Sequence, residues 1–119
     1  MSNISESLEE LITVDGAMCA AIVDSSSGML LGKAGSGIDL DVAAAGNTEV
    51  VRAKLKTIKA LGLNDTIDDI LITLTGQYHI IRPLGSTPEI FLYVVLDRSK
   101  ANLALARIKT KACDEQLVL

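Results

Sequence analysis

The sequence predicts an α+β fold in which a five-stranded antiparallel sheet, ordered 2-1-5-4-3, carries helices on both faces. Three observations lead there. Residues 17–24 (AMCAAIVD) and 89–97 (EIFLYVVLD) are apolar on both alternating faces, so both belong at the centre of a sheet covered on two sides. Each has a hairpin neighbour in sequence, which places its partner strand on the flank. The elements run α-β-β-α-β-β-β-α, with one long helix between the second and third strands.

Taken in order, residues 3–14 read as a helix. Asn3 with Glu6 makes a capping box, Ile4, Leu8, Leu11 and Ile12 share one face, and Asp15-Gly16 breaks the pattern. Strand 17–24 turns through Ser25-Ser26-Ser27-Gly28 into strand 29–34. Gly35-Ser36-Gly37 is a flexible loop leading to a helix over 41–61, with Asp39 or Asp41 to cap it and Gly62 to end it in a left-handed turn. Residues 68–75 alternate, with Ile70, Ile72 and Leu74 on one face and Asp69, Leu71, Thr73 and Thr75 on the other, as a half-covered edge strand does. Gly76-Gln77 turns into strand 78–84, whose end suits Pro83, and Gly85-Ser86-Thr87-Pro88 turns into strand 89–97. Asp97 or Ser99 caps a last helix to about Cys113, with Ala101, Leu105, Ile108 and Ala112 on one face and a frayed tail beyond.

The helix over 41–61 has more apolar circumference than one sheet uses. Glu49, Arg52, Lys56 and Lys59 fall on a narrow polar side, Val51, Leu55 and Ile58 form a bulky stripe, and Val42, Gly46, Val50, Ala53, Thr57 and Ala60 form a stripe of smaller residues. A helix on one sheet needs a single apolar stripe. The bulky stripe is assigned to the sheet, and the small one to a second surface that approaches closely at Gly46, where a glycine otherwise costs about 1 kcal/mol relative to alanine. The apolar edge strand also wants a partner. A two-fold dimer satisfies both, and its predicted interface is Val42, Gly46, Val50, Ala53, Thr57, Ala60, Ile70, Ile72 and Leu74.

The 119 residues are expected to form one domain, 1–119, with 49% hydrophobic residues and only three aromatics, so the core is aliphatic. The net charge of −4 and the lack of a basic tract argue against nucleic-acid binding. No apolar run reaches the ~20 residues of a membrane span, and the acidic start does not read as a signal peptide. Cys19 and Cys113 are expected to be reduced in a cytoplasmic protein, Cys19 inert in its buried run and Cys113, beside Lys109 and Lys111, the more reactive.

Several stretches resemble one family. Val14-Asp15-Gly16-Ala17, Ile22-Val23-Asp24-Ser25-Ser26-Ser27-Gly28, Ile80-Ile81-Arg82-Pro83-Leu84 and Asp97-Arg98-Ser99-Lys100-Ala101-Asn102-Leu103 look like the Roadblock superfamily, and the resemblance spans nearly the whole chain. That superfamily includes dynein light-chain Roadblock proteins, Ragulator scaffold subunits and bacterial gliding-motility GTPase regulators. The resemblance implies a Roadblock/profilin-like fold and homodimers or heterodimers with a continuous ten-stranded sheet and paired long helices. It also implies service as a platform for small Ras-like GTPases, in some members as a GTPase-activating subunit.

No catalytic constellation is legible. There is no P-loop, HExxH or CxxC, and Gly35-Ser36-Gly37 lacks the third glycine of a dinucleotide loop. His79, the only histidine, sits in an apolar strand as a structural residue, and Asp68-Asp69 point to opposite faces as a solvated strand start. Ser25-Ser26-Ser27-Gly28 is a turn, not a nucleophile elbow. Arg82 and Arg98 read as exposed surface arginines, although either can contact a partner. The expectation is a non-enzymatic dimeric adaptor, without cofactor or metal, that regulates a small GTPase and pairs with itself or a paralogous Roadblock-type chain. The rival is a small-ligand sensor of profilin-like or PAS-like type, which needs a cavity with a polar group aimed into it.

Overall fold

The computed structural model describes residues 1–119. Its elements are α1 (Ile4–Leu11), β1 (Ala17–Asp24), β2 (Met29–Gly35), α2 (Leu40–Ala60), β3 (Ile70–Thr73), β4 (Gln77–Pro83), β5 (Ile90–Asp97) and α3 (Leu103–Gln116). The strands form one antiparallel sheet ordered β2-β1-β5-β4-β3, the order that the two doubly apolar runs predict. Every residue from Cys19 to Val23 and from Phe91 to Leu96 is buried. The period of two sorts them into two layers. Ala20, Ile22, Ile80, Leu92, Val94 and Leu96 meet Leu8 and Leu11 of α1 and Ala106 of α3. Cys19, Ala21, Val23, Ile81, Phe91, Tyr93 and Val95 meet Leu40, Ala44 and Val51 of α2.

Local chemistry sets the helix ends. Asn3 Oδ1 accepts from the Glu6 amide at 2.8 Å while Glu6 Oε1 accepts from the Asn3 amide at 3.3 Å, completing the capping box. Asp39, rather than Asp41, caps α2, taking the Asp41 and Val42 amides. Gly62, at φ +69°, lets the Leu63 amide return to the Ile58 carbonyl at 3.2 Å. At Gly35, with φ +79°, a Cβ would strike the Met18 carbonyl and stand 2.8 Å from Cys19 Cα, so the chain leaves the sheet there on a glycine.

Several expectations are corrected. The first helix stops at Leu11, because Thr13 turns its amide and hydroxyl back onto the Glu10 carbonyl. α3 starts at Leu103: Asp97 spends its carboxylate on the Ser99 amide and hydroxyl, and Asn102 caps instead, accepting from the Leu105 amide. Its inward face is Leu103, Ala106, Thr110 and Cys113, whereas Leu105 and Ile108 are exposed. The hidden polarity of Thr110, whose hydroxyl donates to the Ala106 carbonyl at 2.8 Å, explains the misreading. The same device operates in α2, where Thr48 donates to Ala44 at 2.7 Å, and the buried line is Leu40, Ala44, Thr48 and Val51. Of the bulky stripe assigned to the sheet, only Val51 is buried, and Leu55 is exposed. The tail is not frayed: Ser2 donates to the Gln116 carbonyl and accepts from the Val118 amide, both at 2.8 Å, and Leu117 packs on the core. β3 is shorter than 68–75, and Leu74 lies outside it, its amide on the Gln77 carbonyl in the turn.

Two ion pairs tie α3 to the sheet. Arg107 forks onto Asp69 at 2.8 and 2.9 Å, so Asp69 is not the solvated residue expected. Arg82, with a side chain 12% exposed rather than free on the surface, donates from Nε to Asp114 Oδ2 at 2.9 Å, and Asp114 also accepts the Gly85 amide. Asp114→Ala leaves a shielded guanidinium without its carboxylate and an amide without its acceptor. A loss of about 3 kcal/mol in urea unfolding is expected; a change under about 0.5 kcal/mol would show the pair to be incidental.

Candidate interaction surface

α2 covers β1 and β2, then runs past the sheet. No residue after Val51 in this helix is buried. Val42, Gly46, Val50, Ala53, Thr57 and Ala60 are all exposed, Val42 to 68%. A Cβ placed on Gly46 meets nothing within 4 Å, so its lack of a side chain serves no contact inside this chain. Thr57 donates its hydroxyl to the Ala53 carbonyl at 2.9 Å, so that polarity is spent within the helix.

The structure brings part of the predicted stripe to the edge strand. Val50, Ala53, Lys54 and Thr57 form one wall of an open groove whose other wall is Asp69 and Ile70. Ile70 and Ile72 are half-buried against the α2-side core, and β3, last in the sheet order, has backbone pairing on one side only. Val42, Gly46 and Ala60 lie on α2 outside this groove, and Leu74 sits in the β3–β4 turn, 42% exposed. The sequence reading omitted Lys54 as a groove residue, and Leu61 and Leu63, both more than half exposed just past the helix. Their signal was present, as two leucines flanking the terminating glycine.

A polar chain lies in the same sheet face. Tyr93 OH donates to His79 Nδ1 at 2.9 Å, His79 Nε2 donates to Gln77 Oε1 at 2.9 Å, and Gln77 Nε2 reaches Met18 Sδ at 3.7 Å. The network is satisfied with the imidazole proton on Nε2. Tyr93 also stands edge-on to the ring, 5.5 Å between centroids. Burial holds the His79 pKa below its ordinary value and pushes the Tyr93 phenol up.

The remaining candidates are structural. Arg98 donates to the Leu74 carbonyl at 3.0 Å and lies over the Tyr78 ring, clasping the β3–β4 turn. Ser25 Oγ donates to the Glu89 carbonyl, and Ser26 donates its hydroxyl and its amide to Asp24, two bonds that hold the Asp24 carboxyl below the usual range. Cys19 is fully buried and its thiol is pushed up by burial. Cys113 is corrected from reactive to shielded: it packs on the core, its thiol facing the Ser7 carbonyl, and burial pushes its pKa up to about 11. No three His, Cys, Asp or Glu side chains gather as a metal site, and no helix is long and apolar enough to cross a membrane.

Solved structures share this architecture. Myxococcus xanthus MglB superposes with a TM-score of 0.80 at 22% identity, over 92% of this chain and 87% of that one. The Roadblock/LC7 domain from Streptomyces avermitilis gives 0.81 at 15% identity, over 96% and 93%. A structure described as "MglB with tetrameric arrangement" gives 0.79 at 22% identity, over 93% and 82%. The chain has the Roadblock fold. No protein-family model matches its sequence, and no curated protein does. At these identities the likeness to Roadblock structures is one of backbone architecture.

The buried His79 gives a pH prediction. Its folded pKa lies below the unfolded value of 6.5, so folding favours the neutral ring. The stability this contributes is complete above pH 6.5 and falls as pH drops from there through the folded pKa. The single histidine resonance should titrate in NMR with a midpoint below 6.5, and a midpoint at or above it would contradict the buried network.

Proposed function

We propose that this chain is one dimeric adaptor domain that binds and regulates a small Ras-like GTPase, as a platform or as a GTPase-activating subunit, in the cytoplasm. It pairs with a second copy, or with a paralogous Roadblock-type chain, through the outward stripe of α2 and the free edge of β3. One observation carries the reading: part of an exposed small-residue stripe, Val50, Ala53 and Thr57, shares a groove with Ile70 of an edge strand that is paired on one side only. The two-fold arrangement sets edge to edge and helix to helix at once. Association of like chains is also what the tetrameric MglB is described as showing. The GTPase as partner rests on the resemblance to the Roadblock superfamily. The adaptor supplies a surface rather than reacting groups: Asp24 is taken up in a turn, Asp69, Arg82, Arg107 and Asp114 in ion pairs, and His79 in its hydrogen-bonded chain.

The test is the mass in solution, by light scattering on a sizing column, for wild type and Gly46→Leu. Wild type should run at twice the 12.6 kDa chain mass. Gly46→Leu adds bulk where the single chain has open space, so the fold should keep or gain stability, by about 1 kcal/mol from helix propensity. The same substitution should shift the mass toward the monomer. A wild-type monomer at every concentration, or a mutant dimer as tight as wild type, would remove the stripe from the interface.

A further inference from the structure

The one histidine lies in the sheet beside the candidate interface. His79 of β4 pairs directly with Ile72 of β3, and Ile81 pairs with Ile70 two places along. Directly opposed residues share a sheet face, so Ile70, Ile72 and His79 all point to the α2 side. All three are half-buried there, and Ile70 is also part of the groove wall. A second chain seated on Ile70 and Ile72 therefore also shuts water from the imidazole.

The surroundings of His79 suit a neutral ring and offer nothing to a charged one. Nε2 donates to Gln77 Oε1 and Nδ1 accepts from Tyr93 OH, each at 2.9 Å. The Asn47 side chain of α2 faces the same hydroxyl as a donor. A proton added at Nδ1 would meet an oxygen that already serves Asn47, and the Tyr93 hydroxyl hydrogen would lose its acceptor. No carboxylate joins this network to balance the charge. On the same face, Asp97 of β5 gives its carboxylate to the Ser99 amide and hydroxyl. Asp69, just ahead of β3, is forked by Arg107. Lys54 lines the groove from α2, and Cys19 of β1 is a buried thiol in the same core layer, so neither supplies a negative charge at neutral pH.

We propose that His79 makes self-association of this chain pH-sensitive: two copies join while the imidazole is neutral and part when it takes a proton. This rests on the α2–β3 interface being the one that forms. Covering the ring removes the water that solvates an imidazolium, so the associated state has the lower affinity for protons. Burial already moves the His79 pKa in that direction within the single chain. By linkage, association is at full strength above the His79 pKa of the free chain, and weakens as pH falls from there toward the lower pKa of the associated state.

The experiment measures the dissociation constant of the full chain by sedimentation equilibrium at about pH 7.5 and about pH 5, either side of the ordinary histidine pKa. Wild type is compared with His79→Gln, whose amide keeps a donor and an acceptor but takes no proton, and circular dichroism confirms the native fold in each sample. Wild type should associate about tenfold more weakly at the lower pH, and His79→Gln should change by less than about twofold. A second measurement needs no variant: the histidine NMR resonance should titrate at lower pH in concentrated samples than in dilute ones. Equal wild-type affinity at both pH values, the same pH dependence in His79→Gln, or a histidine midpoint independent of concentration would overturn the switch and leave the interface standing. A wild-type chain that is monomeric at both pH values would remove the interface, and the switch with it.

Discussion

The structure depends on how far one helix can lie on one sheet. α2 has 21 residues, about 30 Å at 1.5 Å per residue, while its buried line ends at Val51. Its first half closes the core over β1 and β2 through Leu40, Ala44, Thr48 and Val51. Its second half extends past that contact and leaves the α2 side of β3 and β4 incompletely covered. Ile70, Ile72 and His79 are half-buried for that reason, and the groove between Val50 and Ile70 is the space that remains. The opposite sheet face is shared by two helices, α1 and α3, and the terminal segments pair with each other at Ser2 and Leu117.

Strand identity and order were legible because period-two burial leaves a direct signature. Two runs apolar on both faces had to be central, and β1 and β5 pair from Ala17–Leu96 to Asp24–Ile90. Helix faces were read less well. Thr48 and Thr110 count as polar in sequence, yet each hides its hydroxyl against the preceding turn and packs as a small apolar residue. The α3 start was misplaced because Asp97 and Asn102 are both good caps, and only the Ser99 contact decides between them.

The exposure of the helix stripe was legible. The spacing of Val42, Gly46, Val50, Ala53, Thr57 and Ala60 marks one stripe, and the fold leaves that stripe exposed. Leu74 was placed in the strand because alternation was extended into a turn that the Gln77 carbonyl and Arg98 hold. Long-range ion pairs were invisible for another reason. Arg82 with Asp114 and Asp69 with Arg107 meet across 32 and 38 residues, and no local pattern encodes such a meeting.

The central claim is that the α2 stripe and the β3 edge form one interface. It is tested most directly by amide hydrogen exchange of residues 70–73, whose sheet pairing on one side leaves outward-facing amides for a second strand. The account predicts that outward-facing amides in this strand are protected at high protein concentration, and lose protection on dilution together with the amides around Val50 and Ala53. Exchange of those β3 amides that is fast and independent of concentration, with α2 equally indifferent, would contradict it.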